Sequence, residues 1–359
     1  MNQAESNNNK IRANPPPPTR SGATAAEESS FWSQWASGDS RSGRVLAIFN
    51  PTAGDTPAAR DAQTALLEHL RMGLTTHGLE LEHMAFEPMH FRQALQAHLG
   101  DDLRAIFVLG GDGTVLAVVE ALKGAQVPLG ILPRGTMNWL ARDLGLPPDP
   151  EQALAELMNP VLRWIDLGRV NGHPFLCACM VGVAALLARY REQRRQQSRW
   201  RRWPALLVKA LRLWGRYPHL RLHLVTEDKT QRLCSRTLVV VNNRLEPAFN
   251  VLPARPRLDE GLLALYAMRR ATLKRLRSLL ARLMSGAWSM EDVLLTETST
   301  TVRIELPGTT SLPVLLDGEI RRLNPPLNFN IEASAIPVLV PAAPNSTNHL
   351  KNDLNARPH

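Results

Sequence analysis

The chain has 359 residues, of which 44% are hydrophobic, and we expect two domains because a single hydrophobic core rarely grows so large. The three cysteines and ten histidines follow no ligand spacing, which excludes a disulfide framework and a zinc site and indicates a reducing, cytoplasmic compartment. No signal peptide is visible, and the longest apolar run, Phe175 to Ala188, has 14 residues, too few to span a bilayer.

Residues 1–42 have the composition of a disordered tail, with consecutive asparagines, consecutive prolines and small polar residues. Phe31, Trp32 and Trp35 interrupt this tail, and they would either pack on the folded body or touch a membrane. The C-terminal residues 344–359 are also expected to form a disordered tail.

Residues 43–165 alternate between predicted strands and helices. Strands are expected over Val45–Phe49 and Leu79–Phe86, and helices follow them over Ala58–His77 and Phe91–Gly100. Such alternation predicts an α/β domain, a parallel sheet with helices on both of its faces.

The next predicted strand, Ala105–Leu109, runs into a glycine-rich turn, Gly110-Gly111-Asp112-Gly113-Thr114, and then into a helix over Val115–Leu122. Glycines let backbone N–H groups approach an anion closely, and a helix N-terminus adds partial positive charge, so this turn suits a phosphate. Asp112 would repel a phosphate unless a cation lay between them, which favours a nucleotide phosphate with Mg²⁺. The alternative is a tight turn in which Asp112 caps a helix.

A second unit of the same kind follows the first. The strand Pro128–Leu132 leads into a turn containing Gly135 and Thr136, and the helix after it stops at Gly145. Two such units place both turns at the carboxyl ends of neighbouring parallel strands, where ligands bind in open α/β sheets. Neither turn has the lysine of a P-loop or the Gly-x-Gly-x-x-Gly of a dinucleotide site, so both of those readings are disfavoured.

Residues 166–335 show a different pattern, with short β-rich runs that indicate an antiparallel second domain. Cys177 and Cys179 would share one face of a strand as small core residues. The predicted strands of this domain are Leu220–Val225, Thr237–Val241, Leu262–Met268, Thr301–Leu306 and Asn328–Ile331.

A basic helical insert, residues 186–216, interrupts the second domain. Between residues 189 and 216 ten basic residues face a single acidic one, so the segment accounts for the whole excess charge of +9. Basic residues interleaved with tryptophan and leucine favour a segment that lies on an anionic membrane surface. A solvated helical hairpin and a nucleic-acid patch are the alternatives. The proposed membrane-surface residues are Arg194, Arg195, Trp200, Arg201, Arg202 and Trp203.

Together with the glycine turns, three further segments resemble the diacylglycerol kinase catalytic domain family, which includes bacterial lipid kinases and sphingosine and ceramide kinases. Phe49-Asn50-Pro51-Thr52-Ala53-Gly54 resembles its opening Asn-Pro-x-x-Gly segment, and Leu316-Asp317-Gly318-Glu319 resembles its Asp-Gly-Glu motif. Leu258-Asp259-Glu260-Gly261-Leu262-Leu263 resembles its Asp-Gly-Leu-Leu turn. The matches run in family order from about residue 43 to about residue 341. The Gly-Gly-Asp-Gly-Thr turn alone is not specific, because it resembles NAD kinases too, whereas the four segments together are specific.

The resemblance implies an α/β nucleotide-binding domain over 43–165, a β-sandwich over 166–335 and a segment, 336–343, that returns to the first domain. It implies an ATP- and Mg²⁺-dependent lipid kinase at the membrane surface, possible as a homodimer, whose acceptor is a diacylglycerol-like or sphingoid lipid. Glu319 would be the catalytic base and Asp112 would bind the catalytic Mg²⁺. Arg257, Glu260 and Leu262 would hold a structural Mg²⁺, Arg257 and Leu262 through main-chain oxygens. The implied ATP-binding residues are Asn50, Gly110, Gly111, Asp112, Gly113, Thr114, Gly135, Thr136 and Asn138.

The sequence also departs from the family pattern. Leu116 and Ala117 stand where the family commonly has Asn-Glu, and Trp139 stands where it commonly has Asp. These changes remove polar contacts to nucleotide or metal, so a degenerate, non-catalytic lipid- or nucleotide-binding protein remains an alternative. An NAD kinase is disfavoured by the Gly-Thr-Met-Asn turn and the tryptophan-rich basic segment. A nucleic-acid-binding protein rests on the charge cluster alone, and no nucleic-acid partner is expected.

Overall fold

The computed structural model describes residues 31–32, 43–51, 57–187, 217–227, 229–246, 254–268 and 294–342. The chain divides into two compact units: unit 1 holds residues 1–164 and 336–359, and unit 2 holds residues 165–335. The predicted domain boundary at residues 165 and 166 lies one residue from this division.

Unit 1 alternates strands and helices, because apolar runs with buried side chains on both faces are separated by amphipathic segments. The first helix ends three residues before Gly78, whose φ of 71° is a left-handed conformation that favours glycine. The elements are β1 (Gly43–Phe49), α1 (Pro57–Thr75), β2 (Leu79–Ala85), α2 (Phe91–His98), β3 (Leu103–Gly110), α3 (Asp112–Leu122), β4 (Leu129–Pro133), α4 (Trp139–Asp143) and α5 (Pro150–Glu156).

The strands of unit 1 form a parallel sheet in the order β2-β1-β3-β4. Strand β3 is the best buried, and all residues of Ala105–Leu109 are fully enclosed. Its neighbour β4 continues the sheet with Leu109 beside Leu132 and Gly110 beside Pro133. The last strand of the chain, β16 (Leu327–Pro341), reaches unit 1 with Val338 beside Leu129. This register aligns the carboxyl ends of β1, β3 and β4.

Two residues of the N-terminal segment, Phe31 and Trp32, belong to the core of unit 1, which is the first of the two alternatives expected for them. Phe31 is 4% exposed and Trp32 is fully buried. The Trp32 ring stacks on Phe107 of β3 with 6.4 Å between ring centroids, and its Nε1 donates to the carbonyl of Leu157 at 3.4 Å. The N–H of Phe31 donates to the carbonyl of Pro160. Two large aromatic side chains bury enough apolar area to hold residues 31–32 against the rest of unit 1.

The described part of unit 2 consists almost entirely of strands, since its sequence has period-two apolar patterning and turn residues at short intervals. A short helical stretch follows β7 at residues 183–187. The strands that precede β16 are β5 (Pro160–Val170), β6 (His173–Phe175), β7 (Ala178–Gly182), β8 (Leu220–Thr226), β9 (Thr230–Ser235), β10 (Thr237–Asn242), β11 (Leu263–Met268), β12 (Leu294–Ser299), β13 (Thr301–Glu305), β14 (Leu312–Leu316) and β15 (Glu319–Leu323).

Two antiparallel sheets enclose the core of unit 2. One has the order β12-β11-β10-β7-β14-β15, and the other contains β16-β13-β8-β9. Side chains from both sheets, such as Val240 and Leu265 from the first and Ile304 and Phe329 from the second, form one buried cluster. The expected α/β domain followed by an antiparallel β-sandwich is therefore confirmed. The predicted strands of this domain omit β5, β6, β9, β12, β14 and β15, of which β9, β12 and β15 lie at sheet edges.

Candidate active site

The two glycine turns of unit 1 touch each other. A Cβ atom added to Gly135 would lie 2.5 Å from the Cα of Gly111, and one added to Gly111 would lie 2.9 Å from the Cα of Gly135. The backbone N–H of Arg134 donates to the carbonyl of Gly110 at 3.0 Å. Because β3 and β4 are adjacent and in register, only residues without a side chain allow their turns to come this close.

A third strand end joins the same place. The side-chain amide of Asn50, which follows β1, donates to the hydroxyl of Thr114 at 3.3 Å, and the Asn50 backbone N–H donates to Leu109. Thr114 itself is 5% exposed. The predicted residues Asn50, Gly110 to Thr114, Gly135 and Asn138 are thus brought together at the carboxyl ends of β1, β3 and β4.

Asp112 connects the two motifs. Its carboxylate oxygens accept the backbone N–H groups of Trp139 and Leu140, each at 3.0 Å, at the start of α4. The alternative interpretation of Asp112 as a helix cap is partly right, but the helix that it caps is the one after the second turn. The sequence position of Asp112, inside the first turn of α3, gives no sign of this partner.

Asn138 and Arg134 complete the second turn. The Asn138 side chain bridges Gly135 in both directions, accepting from its N–H at 2.8 Å and donating to its carbonyl at 3.1 Å. Asn138 has a left-handed φ of 42°, and Thr136 is exposed beside it. Partial burial lowers the pKa of the Arg134 guanidinium from its ordinary value, and Arg134 remains charged at neutral pH. This cation at the turn was not singled out from the sequence.

In unit 2, Glu319 follows a two-residue hairpin turn between β14 and β15. Leu316 pairs with Glu319, and the turn residues Asp317 and Gly318 have φ values of 45° and 101°. Asp-Gly is the favoured sequence for such a turn. The Glu319 side chain is 57% exposed, and one of its oxygens lies 3.7 Å from Nη2 of Arg321. The hairpin and the predicted catalytic role are therefore compatible.

The Asp317 side chain turns back into unit 2. Its carboxylate accepts the backbone N–H groups of Leu176 at 2.5 Å, Cys177 at 2.9 Å and Ala178 at 2.8 Å. Burial, and then the negative charge of Asp317, raises the pKa of the Cys179 thiol, which excludes a reactive thiolate at neutral pH. Both Cys177 and Cys179 are buried, as expected for core residues.

The residues implied for a structural Mg²⁺ lie in one loop, Ala254 to Leu262, which precedes β11. Oε2 of Glu260 accepts the N–H of Arg244 at 3.4 Å, and the carbonyl of Leu262 accepts the N–H of Asn243 at 2.9 Å. The Arg257 side chain points to solvent. Among the residues that the structure describes, no three His, Cys, Asp or Glu side chains cluster closely enough to hold a metal ion by themselves, so main-chain oxygens would have to complete any such site.

Asp166 anchors this loop and was not predicted from the sequence. It is 1% exposed, and its carboxylate accepts the N–H groups of Gly261 at 2.7 Å and Ser334 at 2.8 Å. Its own backbone N–H donates to the carbonyl of Leu258. A lone aspartate in the second half of β5 carries no sequence signal for such a role, because its partners Gly261 and Ser334 are distant in the chain.

The six predicted membrane-surface residues lie outside the described residues: Arg194, Arg195, Trp200, Arg201, Arg202 and Trp203. Across the described ranges, the helices are all too short or too polar to cross a membrane.

Comparisons with known proteins agree on one family. Residues 44–170 match the sequence model of the diacylglycerol kinase catalytic domain. A diacylglycerol kinase of Mycobacterium tuberculosis is 29% identical over 288 residues, covering 77% of this chain and 89% of that protein. A probable lipid kinase YegS-like of Pseudomonas aeruginosa is 28% identical over 253 residues, covering 70% of this chain and 81% of that protein.

Solved structures agree on the fold. A diacylglycerol kinase from Bacillus anthracis strain Sterne aligns with a TM-score of 0.59 at 15% identity, covering 84% of this chain and 98% of that one. A second structure from the same strain gives a TM-score of 0.65 at 17% identity. The predicted resemblance to the diacylglycerol kinase catalytic domain family is confirmed, and residues 44–170 are the part that matches the model of this family.

Proposed function

We propose that this protein is an ATP-dependent lipid kinase that transfers the γ-phosphate of ATP to a hydroxyl group of a diacylglycerol-like or sphingoid lipid. The observation that carries the proposal is the convergence of two glycine turns, locked together at Gly111 and Gly135, within a domain of the diacylglycerol kinase family. Phosphoryl transfer needs positioning and charge neutralisation more than covalent catalysis, and a rigid backbone cradle supplies positioning.

The unit 1 turns would bind the phosphates of ATP. Backbone N–H groups of Gly110 to Thr114 and the exposed Thr136 hydroxyl are donors of the type that phosphates accept. Asn50 restrains Thr114 through their 3.3 Å hydrogen bond, and Asn138 restrains Gly135. The Arg134 guanidinium would add a fixed positive charge at the second turn.

Asp112 fits a role as a Mg²⁺ ligand. Each of its oxygens accepts one backbone N–H, which leaves lone pairs free for a hard cation. The two N–H groups also fix the carboxylate in one orientation. Mg²⁺, when bound, neutralises phosphate charge. Arg257, Glu260 and Leu262 would offer two main-chain carbonyls and one carboxylate to a structural Mg²⁺, all hard oxygen ligands.

Glu319 would take the proton from the acceptor hydroxyl. It is exposed and therefore accessible to a lipid headgroup, and its short hairpin limits its freedom. General base catalysis of this type contributes about 10²- to 10⁴-fold to rates. The basic insert, residues 186–216, would hold the enzyme at an anionic membrane surface where the lipid lies, and a homodimer is proposed on the resemblance alone.

A degenerate, non-catalytic protein is the second candidate, and one observation favours it. Leu116 is 2% exposed in α3, and Trp139 starts α4, so neither position offers the polar side chain that is common in the family. Such a protein would bind ATP or lipid without turnover. The remaining alternative, an NAD kinase, would transfer phosphate to NAD and not to a lipid.

The deciding experiment is transfer of radiolabelled phosphate from ATP, with Mg²⁺, to dispersed diacylglycerol, monoacylglycerol, sphingosine, ceramide and phosphatidylglycerol, with NAD as a further acceptor. We expect a labelled lipid, and we expect Glu319→Gln to lower kcat about 10²- to 10⁴-fold while ATP binding is retained. Glu305→Gln, in a half-exposed glutamate of β13, is the matched control and should keep full activity. Binding of ATP without transfer to any acceptor would favour the degenerate protein.

A further inference from the structure

Arg255 is the largest charged side chain in the interior of unit 2. It is 1% exposed, and its guanidinium donates to the carbonyls of Leu176 at 2.7 Å and Asn242 at 3.1 Å and to Sγ of Cys177 at 3.2 Å. An arginine stays protonated in proteins, and its burial costs several kcal/mol unless its donors are satisfied. The fold of a β-sandwich does not by itself require such a residue.

The segment Leu176–Ala178 lies between Arg255 and Asp317. Its three N–H groups donate to the Asp317 carboxylate, while the Leu176 carbonyl accepts from Arg255 and from the side chain of Asn242. The Cys177 carbonyl accepts the N–H of Asn242, and the Ala178 carbonyl accepts the N–H of Asp317. Every backbone polar group of the segment is therefore bonded. Hydrogen bonds to charged groups at both edges of one segment polarise its peptide groups and strengthen one another.

This arrangement fixes the turn that carries Glu319. Asp317 makes four hydrogen bonds with the segment through its side chain and its N–H, and Glu319 is only two residues further along the hairpin. The Glu319 side chain itself is mostly solvated, so its position depends on the turn rather than on its own packing. A shift of Leu176–Ala178 would move Asp317 and, with it, the start of β15.

We propose that Arg255 is a positioning residue for Glu319, acting through Leu176–Ala178 and Asp317. The proposal rests on the proposed function, because it takes Glu319 as the catalytic base. Because Arg255 is buried and its guanidinium bonds residues of unit 2, it would act on the site through these residues and not by contact with a substrate. Arg255 would hold the segment by donating to the Leu176 carbonyl. The N–H groups of the same segment then keep Asp317, and therefore Glu319, in one orientation.

The test compares Arg255→Met and Arg255→Lys with the matched control Arg169→Met. Arg169, also in unit 2, forms an ion pair with Glu332 at 2.5 Å and takes no part in the site. Two quantities are measured for each protein: hydrogen exchange of the amides of residues 176–178, and steady-state kinetics with ATP and the preferred lipid. Urea unfolding of each variant keeps global stability separate from local exchange.

We expect Arg255→Met to speed amide exchange at residues 176–178 about tenfold or more beyond the change in Arg169→Met. Its kcat should fall about 10- to 100-fold, because small misplacement of a catalytic group has effects of this size, while KM for ATP stays within about twofold. Arg255→Lys should restore part of kcat, because an ammonium can bond one carbonyl but lacks the guanidinium fork. Arg169→Met should keep the wild-type kcat.

Unchanged exchange at residues 176–178 in Arg255→Met would overturn the proposal, and so would faster exchange with an unchanged kcat, which would make Arg255 purely structural. If Arg255→Met does not fold, the comparison of Arg255→Lys with the wild type decides by the same two criteria. Failure of the proposed function is seen separately, as an inactive wild-type protein. Even with an inactive wild type, unchanged amide exchange at residues 176–178 in Arg255→Met would show that Arg255 does not fix the turn.

Discussion

The glycine turns of unit 1 and the hairpin turn of unit 2 both present polar groups at strand ends, yet different interactions hold them. At Gly111 and Gly135 two backbones are in contact, and the arrangement depends on the absence of side chains. In unit 2, the charged side chains of Asp317 and Arg255 both form hydrogen bonds with the backbone of Leu176–Ala178. This arrangement depends on the charges of the two side chains. The first kind of site is therefore sensitive to volume, and the second is sensitive to charge at constant volume.

Removal of packing from unit 1 should have the largest effect on stability. Trp32→Ala takes away a fully buried ring that stacks on Phe107, and we expect a loss of about 3–5 kcal/mol in the free energy of unfolding. Urea unfolding measures it. Trp32→Phe keeps most of the volume and should cost much less. A loss below about 1 kcal/mol for Trp32→Ala would mean that the N-terminal segment adds no packing energy to unit 1.

The second largest effect is expected from added side-chain volume at the contact between Gly111 and Gly135. Gly135→Ala places a methyl group 2.5 Å from the Cα of Gly111, so one turn must shift, at a cost of about 1–3 kcal/mol. Because the shift displaces the proposed phosphate donors, we expect ATP affinity, measured by calorimetry, to fall at least about tenfold. Gly124→Ala is the control: this glycine has open space around it but a left-handed φ of 89°, so alanine should lower stability there and leave ATP affinity unchanged. If Gly135→Ala bound ATP as tightly as the wild type, the close contact between the two glycine turns would not be needed for ATP binding.

A substitution that removes a charge but keeps the side-chain volume should affect the hairpin turn of unit 2, whose arrangement depends on charge. Asp317→Asn keeps the size of the side chain and one accepting oxygen, but it removes the negative charge and puts an amide nitrogen, which cannot accept an N–H group, in place of the other oxygen. We expect a loss of about 1–3 kcal/mol in unfolding free energy. Asp259→Asn, at a half-exposed aspartate of the same unit, should change stability by less than about 0.5 kcal/mol. An equal loss of unfolding free energy in Asp317→Asn and Asp259→Asn would mean that the charge of Asp317 has no special role in the hairpin turn.

The smallest effect concerns a partly exposed charge pair in unit 1. The hydrogen bond from Arg44 at 3.0 Å lowers the pKa of Asp102 below its ordinary 3.8, although burial opposes the shift. A lowered carboxyl pKa in the folded state stabilises the protein above the unfolded pKa, and this contribution is lost as pH falls below about 3.8. Because Asp102 is about half exposed, its contribution should be only about 0.2–1 kcal/mol.

Urea unfolding of the wild type and Asp102→Asn at several pH values checks this expectation. The difference between them should be constant from about pH 7 to pH 5 and should shrink toward zero below about pH 4. Asp101→Asn, at the exposed neighbouring aspartate, should show a smaller difference. A difference that grows as the pH falls would contradict the assignment.

The amino-acid sequence determined the fold class and the location of the two glycine turns, because both depend on local patterns. Alternating apolar strands and helices predict the parallel sheet of unit 1, and short β-rich runs predict the sandwich of unit 2. Glycines at Gly111 and Gly135 mark turns that follow neighbouring strands, and Asp317-Gly318 marks a hairpin. The roles assigned to Asp112, Glu319 and the metal-binding residues remain predictions.

Only the tertiary structure decided which side chains hold these turns. Arg255 lies between an alanine and a proline and looks like a surface residue, yet its partner Leu176 is 79 positions away. Trp32 sits in a segment with a disordered composition, and its ring reaches a pocket formed by residues from other elements. Local sequence records backbone propensity and apolar spacing, whereas burial of a charge or an aromatic ring depends on which distant residues the fold brings beside it.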